Sequence, residues 1–162
     1  MLEELLYIHE AQLIAFGGAQ GVRDPRLLQS ALARPPGRFG GQAAYPTPFA
    51  RAAALMESLL QNQGFIDGNK RTGTLAMILW LEREGYDLDT SNEKLVEVAL
   101  GVAERRYSSV RLSLWIKQKC RPLNTGSPGA AATPRNPDID EAGTSAIAED
   151  PGDRHRPIGG RA

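Results

Sequence analysis

The side chains most able to do chemistry lie in residues 65–73. Asp67, Asn69, Lys70 and Arg71 crowd around Gly68 at the mouth of an apolar helix that continues through Leu75, Met77, Ile78 and Leu81. The first turn of a helix carries unpaired N–H groups and a partial positive charge. Lys70 and Arg71 are therefore misplaced there for stability, and make sense if an anion occupies that end. Gly68 lets backbone approach a phosphate closely. Asn69 can donate from its amide, Lys70 supplies a compact charge and Arg71 a planar fork. Asp67 is an odd neighbour for a phosphate unless it holds a hard divalent cation, and one or two carboxylates plus phosphate oxygens is the usual Mg²⁺ arrangement. The cluster reads as a site for a magnesium-bound nucleotide. A plainer reading stands beside it, with Asp67 as a helix cap and Lys70 and Arg71 as solvated surface. Phe65 anchors the loop in the core on either reading.

The elements that must position this loop are helices. The first spans 2–16, with Leu5, His9, Gln12, Leu13 and Phe16 on one stripe, and stops at Gly17 and Gly18. Asp24 and Pro25 give a cap followed by proline at the first helical position, and Leu27, Leu28, Ala31 and Leu32 form the apolar face behind them. Pro35 and Pro36 end that helix, and residues 35–46 form a Gly/Pro loop. Thr47 and Pro48 repeat the start signal for a third helix that runs to Asn62 on Ala52, Leu55, Met56 and Leu59. The fourth runs from Asn69 to Glu84, and residues 75–81 are apolar nearly all round, which marks it as the central buried helix. Gly85 caps it. Thr90 to Glu93 has capping-box spacing and opens a fifth helix. Ser108 or Ser109 opens a sixth, where Leu112, Trp115 and Ile116 pack. Trp80 and Trp115 read as core. Tyr86 to Asp89 is at most a short extended piece, so the fold class is all-α.

Composition bounds the rest. The chain has 162 residues, 19 Lys+Arg against 19 Asp+Glu, two His and one Cys. Zero net charge removes the global electrostatic case for nucleic acid or an anionic membrane as partner. Cys120 alone cannot form an internal disulfide. No run approaches the ~20 apolar residues of a membrane span, and the first residues carry acids where a secretory signal carries bases. The expected location is cytoplasmic. Residues 121–162 are rich in Pro, Gly and Ala, lack aromatics and hold few large aliphatics. Such a segment buries too little to offset ~1–2 kcal/mol of backbone entropy per residue. The expected organisation is a folded domain over 1–120 and a disordered tail over 121–162, with folding on a partner as the alternative for the tail.

The loop resembles the signature of the Fic/Doc superfamily, HxFxDGNKR, in its death-on-curing (Doc) toxin branch. The likeness extends upstream through Phe16, Gly17 and Gly18, Gly21 to Asp24, Leu27 and Leu28, Ala31 and Leu32, Arg34 and Pro35, then Phe39 to Gly41, Tyr45 and Pro46. Downstream it takes in Gly85 and the last helix led by two serines. It covers about 7–119. The resemblance implies a compact helical Fic fold around a buried central helix and transfer of part of ATP to a protein hydroxyl. The Fic branch, with GNGR, usually transfers AMP. The Doc branch carries lysine, as at Lys70, and its prototype moves the γ-phosphate to a threonine of elongation factor Tu, which stops translation. Thr74, where Fic proteins carry a second arginine, also fits Doc. The implied roles are Mg²⁺ at Asp67, phosphate contacts at Gly68, Asn69, Lys70 and Arg71, a cognate Phd-like antitoxin as partner, and a target-docking flap over 35–46 with Arg38, Phe39 and Tyr45. A simple interhelix connection is the alternative for that flap.

One position departs from the pattern. The family's catalytic histidine, two residues before the phenylalanine, is Gln63 here. Imidazole takes a proton because its pKa lies near neutrality, whereas a glutamine amide orients but has no such basicity. Loss of a general base typically costs 10²–10⁴-fold in rate. The expectation is an inactive or strongly impaired transferase that still binds nucleotide. Three explanations stay open: a naturally degenerate toxin, a histidine replaced or lost because the active toxin kills its host, or another base in its place. His9 lies on the apolar stripe of the first helix and reads as a core histidine, and His155 in the tail is a poor substitute. The class-level alternatives are a non-catalytic nucleotide- and antitoxin-binding module and a Fic-type AMP transferase.

Overall fold

Four of the six helices begin at a polar side chain that takes a backbone N–H from the first turn. The computed structural model describes residues 1–123. In it, α1 spans Leu2–Phe16, α2 Pro25–Ala33, α3 Pro48–Asn62, α4 Asn69–Arg83, α5 Asn92–Ala103 and α6 Ser109–Lys119. Asp24 caps α2 and Thr47 caps α3, each with proline at the next position, where its missing N–H costs nothing. Ser91 caps α5 by accepting from the Lys94 amide, and Ser108 caps α6 by accepting from Arg111. The cap of α5 is thus one residue later than the Thr90–Glu93 spacing predicted. The expected all-α class holds, and the strands present are two or three residues long.

The most buried helix is α3, not α4 as its apolar run suggested. Every residue from Ala52 to Leu60 is buried, Glu57 and Ser58 included. Three consecutive alanines let α2, α4, α5 and α6 approach α3 closely. α4 lays one face on α3, where a Cβ at Gly73 would meet Leu60 Cδ1 at 2.3 Å, and leaves Leu75 and Ile78 half-buried on the other. One core cluster joins Met56, Met77, Leu81, Val98, Val102, Leu112 and Ile116. A second joins Leu5, Leu28, Ala31, Leu55, Leu59 and Phe65. Trp80 and Trp115 are half-buried against these clusters. On α1 the expected stripe holds at Leu5, His9 and Leu13, while Phe16 stands 70 % exposed.

Two small ladders depart from the sequence reading. Within the 35–46 connection, β1 (Arg38–Phe39) and β2 (Gln42–Ala43) form a hairpin. Gly40 and Gly41 turn it, both at positive φ (55° and 80°), as a two-residue primed turn requires. Arg34 ties the hairpin's base to the core, donating to Tyr45 Oη (2.7 Å), Ser58 Oγ (2.9 Å) and the Glu57 carboxylate (2.6 Å). That carboxylate and guanidinium satisfy each other, which is why Glu57 can sit on the buried helix. β3 (Tyr86–Leu88) pairs antiparallel with β4 (Cys120–Pro122), and the Leu123 amide donates to Gly85 O. The described structure therefore runs slightly past the expected limit at 120. The rest of the 121–162 expectation, and His155, lie outside the described residues.

Candidate active site at the mouth of α4

Residues 63–68 join α3 to α4, and neighbouring backbone stitches them down. Gln63 ends α3 in the left-handed region (φ 51°, ψ 50°), unusual for a residue with a Cβ. Gly64 follows because Leu28 fills the space a side chain would need, its Cδ2 lying 2.4 Å from an ideal Cβ. The Gly64 carbonyl accepts the Arg23 and Asp24 amides, and the Ile66 amide donates to Gly21 O. Phe65 is 1 % exposed and bridges to Val22. The 21–24 segment is thereby a template for the loop.

The loop closes on itself through Asn69. Its Oδ1 accepts the Phe65 amide at 3.0 Å and its Nδ2 donates to Phe65 O at 2.9 Å. Both ends of the amide are engaged in holding the five-residue turn. Gly68 is the N-cap of α4, at φ 73°, and no side chain caps the helix. Asp67 Oδ1 accepts the Gly68 amide and its Oδ2 accepts the Ala19 amide at 3.3 Å. These N–H groups, Gly68's first, and then the Arg71 charge hold the Asp67 carboxyl below the ordinary aspartate range. Arg71 donates to Gly17 O (2.8 Å) and Gln12 O (3.4 Å), carbonyls at the end of α1. It also lies over the Phe16 ring, 6.0 Å from the centroid. Lys70 is exposed and forms no ion pair among the described residues. Thr74, one turn on, donates its hydroxyl to Lys70 O.

These residues share one cavity. Gln63, Asp67, Gly68, Asn69, Lys70 and Arg71 line an open hollow of about 270 Å³, with Leu60, Ile66 and Ala103 completing the wall. Each of the six loop residues singled out in the sequence is in that lining. The flap candidates are not: Phe39 is 88 % exposed, Arg38 folds onto Gly41 O, and Tyr45 receives Arg34. Sequence reasoning missed Arg23, whose Nη1 donates to Gln63 Oε1 at 3.5 Å, and Ala19, whose amide holds Asp67. The spacing of Gly21, Arg23 and Asp24 ahead of a helix was the available signal for the first. Nothing in the sequence pointed to the second.

Asp67 suits a hard cation in one respect and limits it in another. Each of its oxygens takes one N–H and has capacity to accept more, and Asp67 is part of the cavity lining. No group of three or more His, Cys, Asp or Glu side chains converges among the described residues. A metal here would therefore arrive with ligand oxygens of its own, as Mg²⁺ does with phosphates.

A second, larger hollow of about 540 Å³ opens beside the first, between α1, α4 and α5. Phe16, Leu75, Ile78, Leu95, Val96 and Leu100 make it apolar, and Lys70 and Arg71 form its edge. This groove is what the outward side of α4 faces, and it explains why α4's apolar run did not make it the central helix. Among the described residues no helix is long and apolar enough to cross a membrane.

The sequence profile of the Fic/DOC family matches residues 1–81, which takes in Gln63 and Asp67 to Arg71 of the cavity and α4 almost to its end. The chain belongs to the Fic/Doc family. It is similar to Toxin Doc of Mycolicibacterium smegmatis (strain ATCC 700084 / mc(2)155), with 42 % identity over 92 residues, 53 % of this chain and 71 % of that protein. It is also similar to Protein kinase doc of Escherichia phage P1, with 29 % identity over 109 residues, 65 % of this chain and 82 % of that protein. Both relatives are Doc proteins, so within the family the chain lies on the toxin branch.

Proposed function

We propose that this protein is a Doc-type toxin of a toxin–antitoxin pair whose cavity takes ATP with Mg²⁺ and directs the γ-phosphate to a protein hydroxyl. By resemblance the target is elongation factor Tu, which places the protein in the cytoplasm. The observation that carries the reading is the convergence of Gln63, Asp67, Gly68, Asn69, Lys70 and Arg71 on one cavity at an uncapped helix N-terminus. Free N–H groups and a free ammonium favour an anion there. Lys70 is the cation at liberty to meet a phosphate. Asn69 acts by closing the loop so that the first-turn amides point outward. Arg71 pins that turn to the end of α1 and lends its charge. Asp67 is the residue that would hold Mg²⁺ together with phosphate oxygens, and the cation supplies neutralisation of charge on the transferring group. Phosphoryl transfer asks mainly for positioning and electrostatic stabilisation.

Gln63 stands where the incoming hydroxyl would give up its proton. Its amide orients that hydroxyl and cannot take the proton, so transfer is slowed by about the 10²–10⁴-fold that a lost base costs. The test is Gln63→His in the full chain with ATP, Mg²⁺ and purified elongation factor Tu, read by mass spectrometry. A gain of about 80 Da marks phosphate and about 329 Da marks AMP. A folded, nucleotide-binding Gln63→His protein that leaves the factor's mass unchanged overturns transfer to this target.

A second reading is favoured by the apolar groove. As a non-catalytic binding module, the protein would keep the nucleotide loop and seat an amphipathic antitoxin helix on Leu75, Ile78, Val96 and Leu100, beside Lys70. Antitoxin binding belongs to both readings. Only the first predicts a modified target once histidine stands at 63.

A further inference from the structure

The imidazole of His9 lies outside the reaction scheme above, yet it touches the candidate loop at Phe65, at the N-cap Gly68 and at Thr72 in the first turn of α4. The ring stacks on Phe65, with centroids 3.8 Å apart and planes 13° from parallel. Its Nδ1 lies 3.1 Å from the hydroxyl of Thr72 in the first turn of α4. Its Cε1 and Nδ1 lie 3.3 and 3.4 Å from where a Cβ on Gly68 would stand, so the N-cap backbone rests against the ring edge. His9 is 5 % exposed, and its Nε2 is buried without a partner. An orphaned buried polar atom is costly, and a leucine or phenylalanine would pack on Phe65 without that cost. Core packing alone therefore gives no reason for imidazole at this position.

The structure assigns His9 as a positioning residue, the strut through which α1 holds residues 65–72 in the conformation that presents the α4 N-terminus to an anion. It touches no reacting group and is not a base. Burial, and then the Arg71 charge, push its pKa below the ordinary histidine value, against the opposing pull of Asp67, so the strut is the neutral ring. The bond to Thr72 distinguishes this role from packing. Thr72 is fully buried, and the His9 ring is the one hydrogen-bond partner of its hydroxyl among the described residues, so that bond fixes the ring's rotation. The ring in turn fixes Gly68. The inference goes beyond the nucleotide reading and rests on it only for what the held loop receives.

Hydrogen exchange in the ligand-free full chain decides the matter independently of nucleotide. His9→Phe keeps the stack and removes the bond, Thr72→Val removes it from the other side, and Thr72→Ser keeps the hydroxyl. The expected result is exchange about tenfold faster at the amides of 66–72 in the first two variants, the effect of one lost hydrogen bond on local opening. Protection of α5 and α6 is unchanged, and Thr72→Ser behaves as wild type. The double variant His9→Phe/Thr72→Val is no faster than either single, because both remove one interaction. Unchanged loop exchange in His9→Phe, or acceleration spread over α1 and α4 in step with a lower melting temperature, overturns the assignment. Binding of Mg·ATP by calorimetry is the second readout, expected to weaken about tenfold with His9→Phe. If the wild-type chain takes up no Mg·ATP, the nucleotide reading fails while the exchange result still decides the strut.

Discussion

α3 and α4 are each 15 residues long and pack against each other, yet their N-termini are built on different terms. α3 opens with Thr47, whose hydroxyl takes the Ala50 amide, and with Pro48, which has no N–H to satisfy. α4 opens with Gly68 in the left-handed region, with no side-chain cap and with Lys70 and Arg71 in its first turn. Capped and then buried along Ala52–Leu60, α3 is given over to stability. α4 keeps the same stabilising face toward α3 through Gly73 and Met77, but its mouth forgoes the cap and accepts a charge arrangement unfavourable to an isolated helix. The difference teaches where to look for function: the element end that gives up local stability while its neighbour does not.

That comparison breaks most sharply at Met56 of α3, which is fully buried against Met77 and Leu81. Met56→Ala should lose about 2–5 kcal/mol of stability, read by urea unfolding, while the folded protein keeps its affinity for Mg·ATP. If affinity falls as far as stability does, α3 and the mouth of α4 are not separable. Lys70 makes the converse case. Lys70→Ala removes an exposed charge with no partner among the described residues, and one that opposes the helix dipole, so the melting temperature should hold or rise slightly. Mg·ATP binding should weaken by the ~1.5–3 kcal/mol of a charge-assisted hydrogen bond. Calorimetry showing equal affinity would return Lys70 to solvated surface.

The smaller effect lies at the caps. Thr47→Ala should cost about 1 kcal/mol, the usual worth of a threonine cap, and leave binding alone. No such loss is available at Gly68, where there is no cap to remove.

Most of this contrast was legible in the sequence, because it is local. Asp24 with Pro25, and Thr47 with Pro48, announce helix starts in side-chain chemistry alone, and the observed starts fall where they do. The misplaced bases after Gly68 marked the candidate site in the same way. What could not be read was direction and neighbourhood. The run of residues 75–81 says that α4 is apolar on nearly every side. It does not say that one side faces an open groove, so α3, with its shorter alanine-rich signal, proved the central helix. Nor does the sequence show that Asn69 and Arg71, while lining the cavity, also bond back to Phe65 O, Gly17 O and Gln12 O. Those acceptors become visible only once α1 is laid beside the loop. The β3–β4 pairing of Tyr86–Leu88 with Cys120–Pro122 joins segments too distant in sequence, and too short, to show alternation. The Gly40 and Gly41 turn was legible in principle, since two glycines between short polar segments is a hairpin signal, but the many prolines around it hid it.

The mildest perturbation that should separate the two helices is acid. Asp67 has a folded-state pKa below the ordinary aspartate value because Gly68 and Ala19 donate to its charged form. A group depressed in this way contributes stability that is present above the ordinary, unfolded value. That contribution is lost as pH falls through the lowered, folded value, where the carboxylate finally protonates. The tether between Ala19 and the mouth of α4 should therefore persist from neutrality through the ordinary aspartate value and loosen only below it, as pH falls through the lowered folded value. The Thr47 cap has no proton to gain and should not respond. Amide resonances of Ala19 and Gly68 followed by NMR should move together in that acid range, with the Ala50 amide still. Movement of Ala50 in step with them would mean that acid acts on the whole fold. Stillness of Ala19 would mean that its 3.3 Å bond to Asp67 does not hold the glycine turn after α1 against the loop.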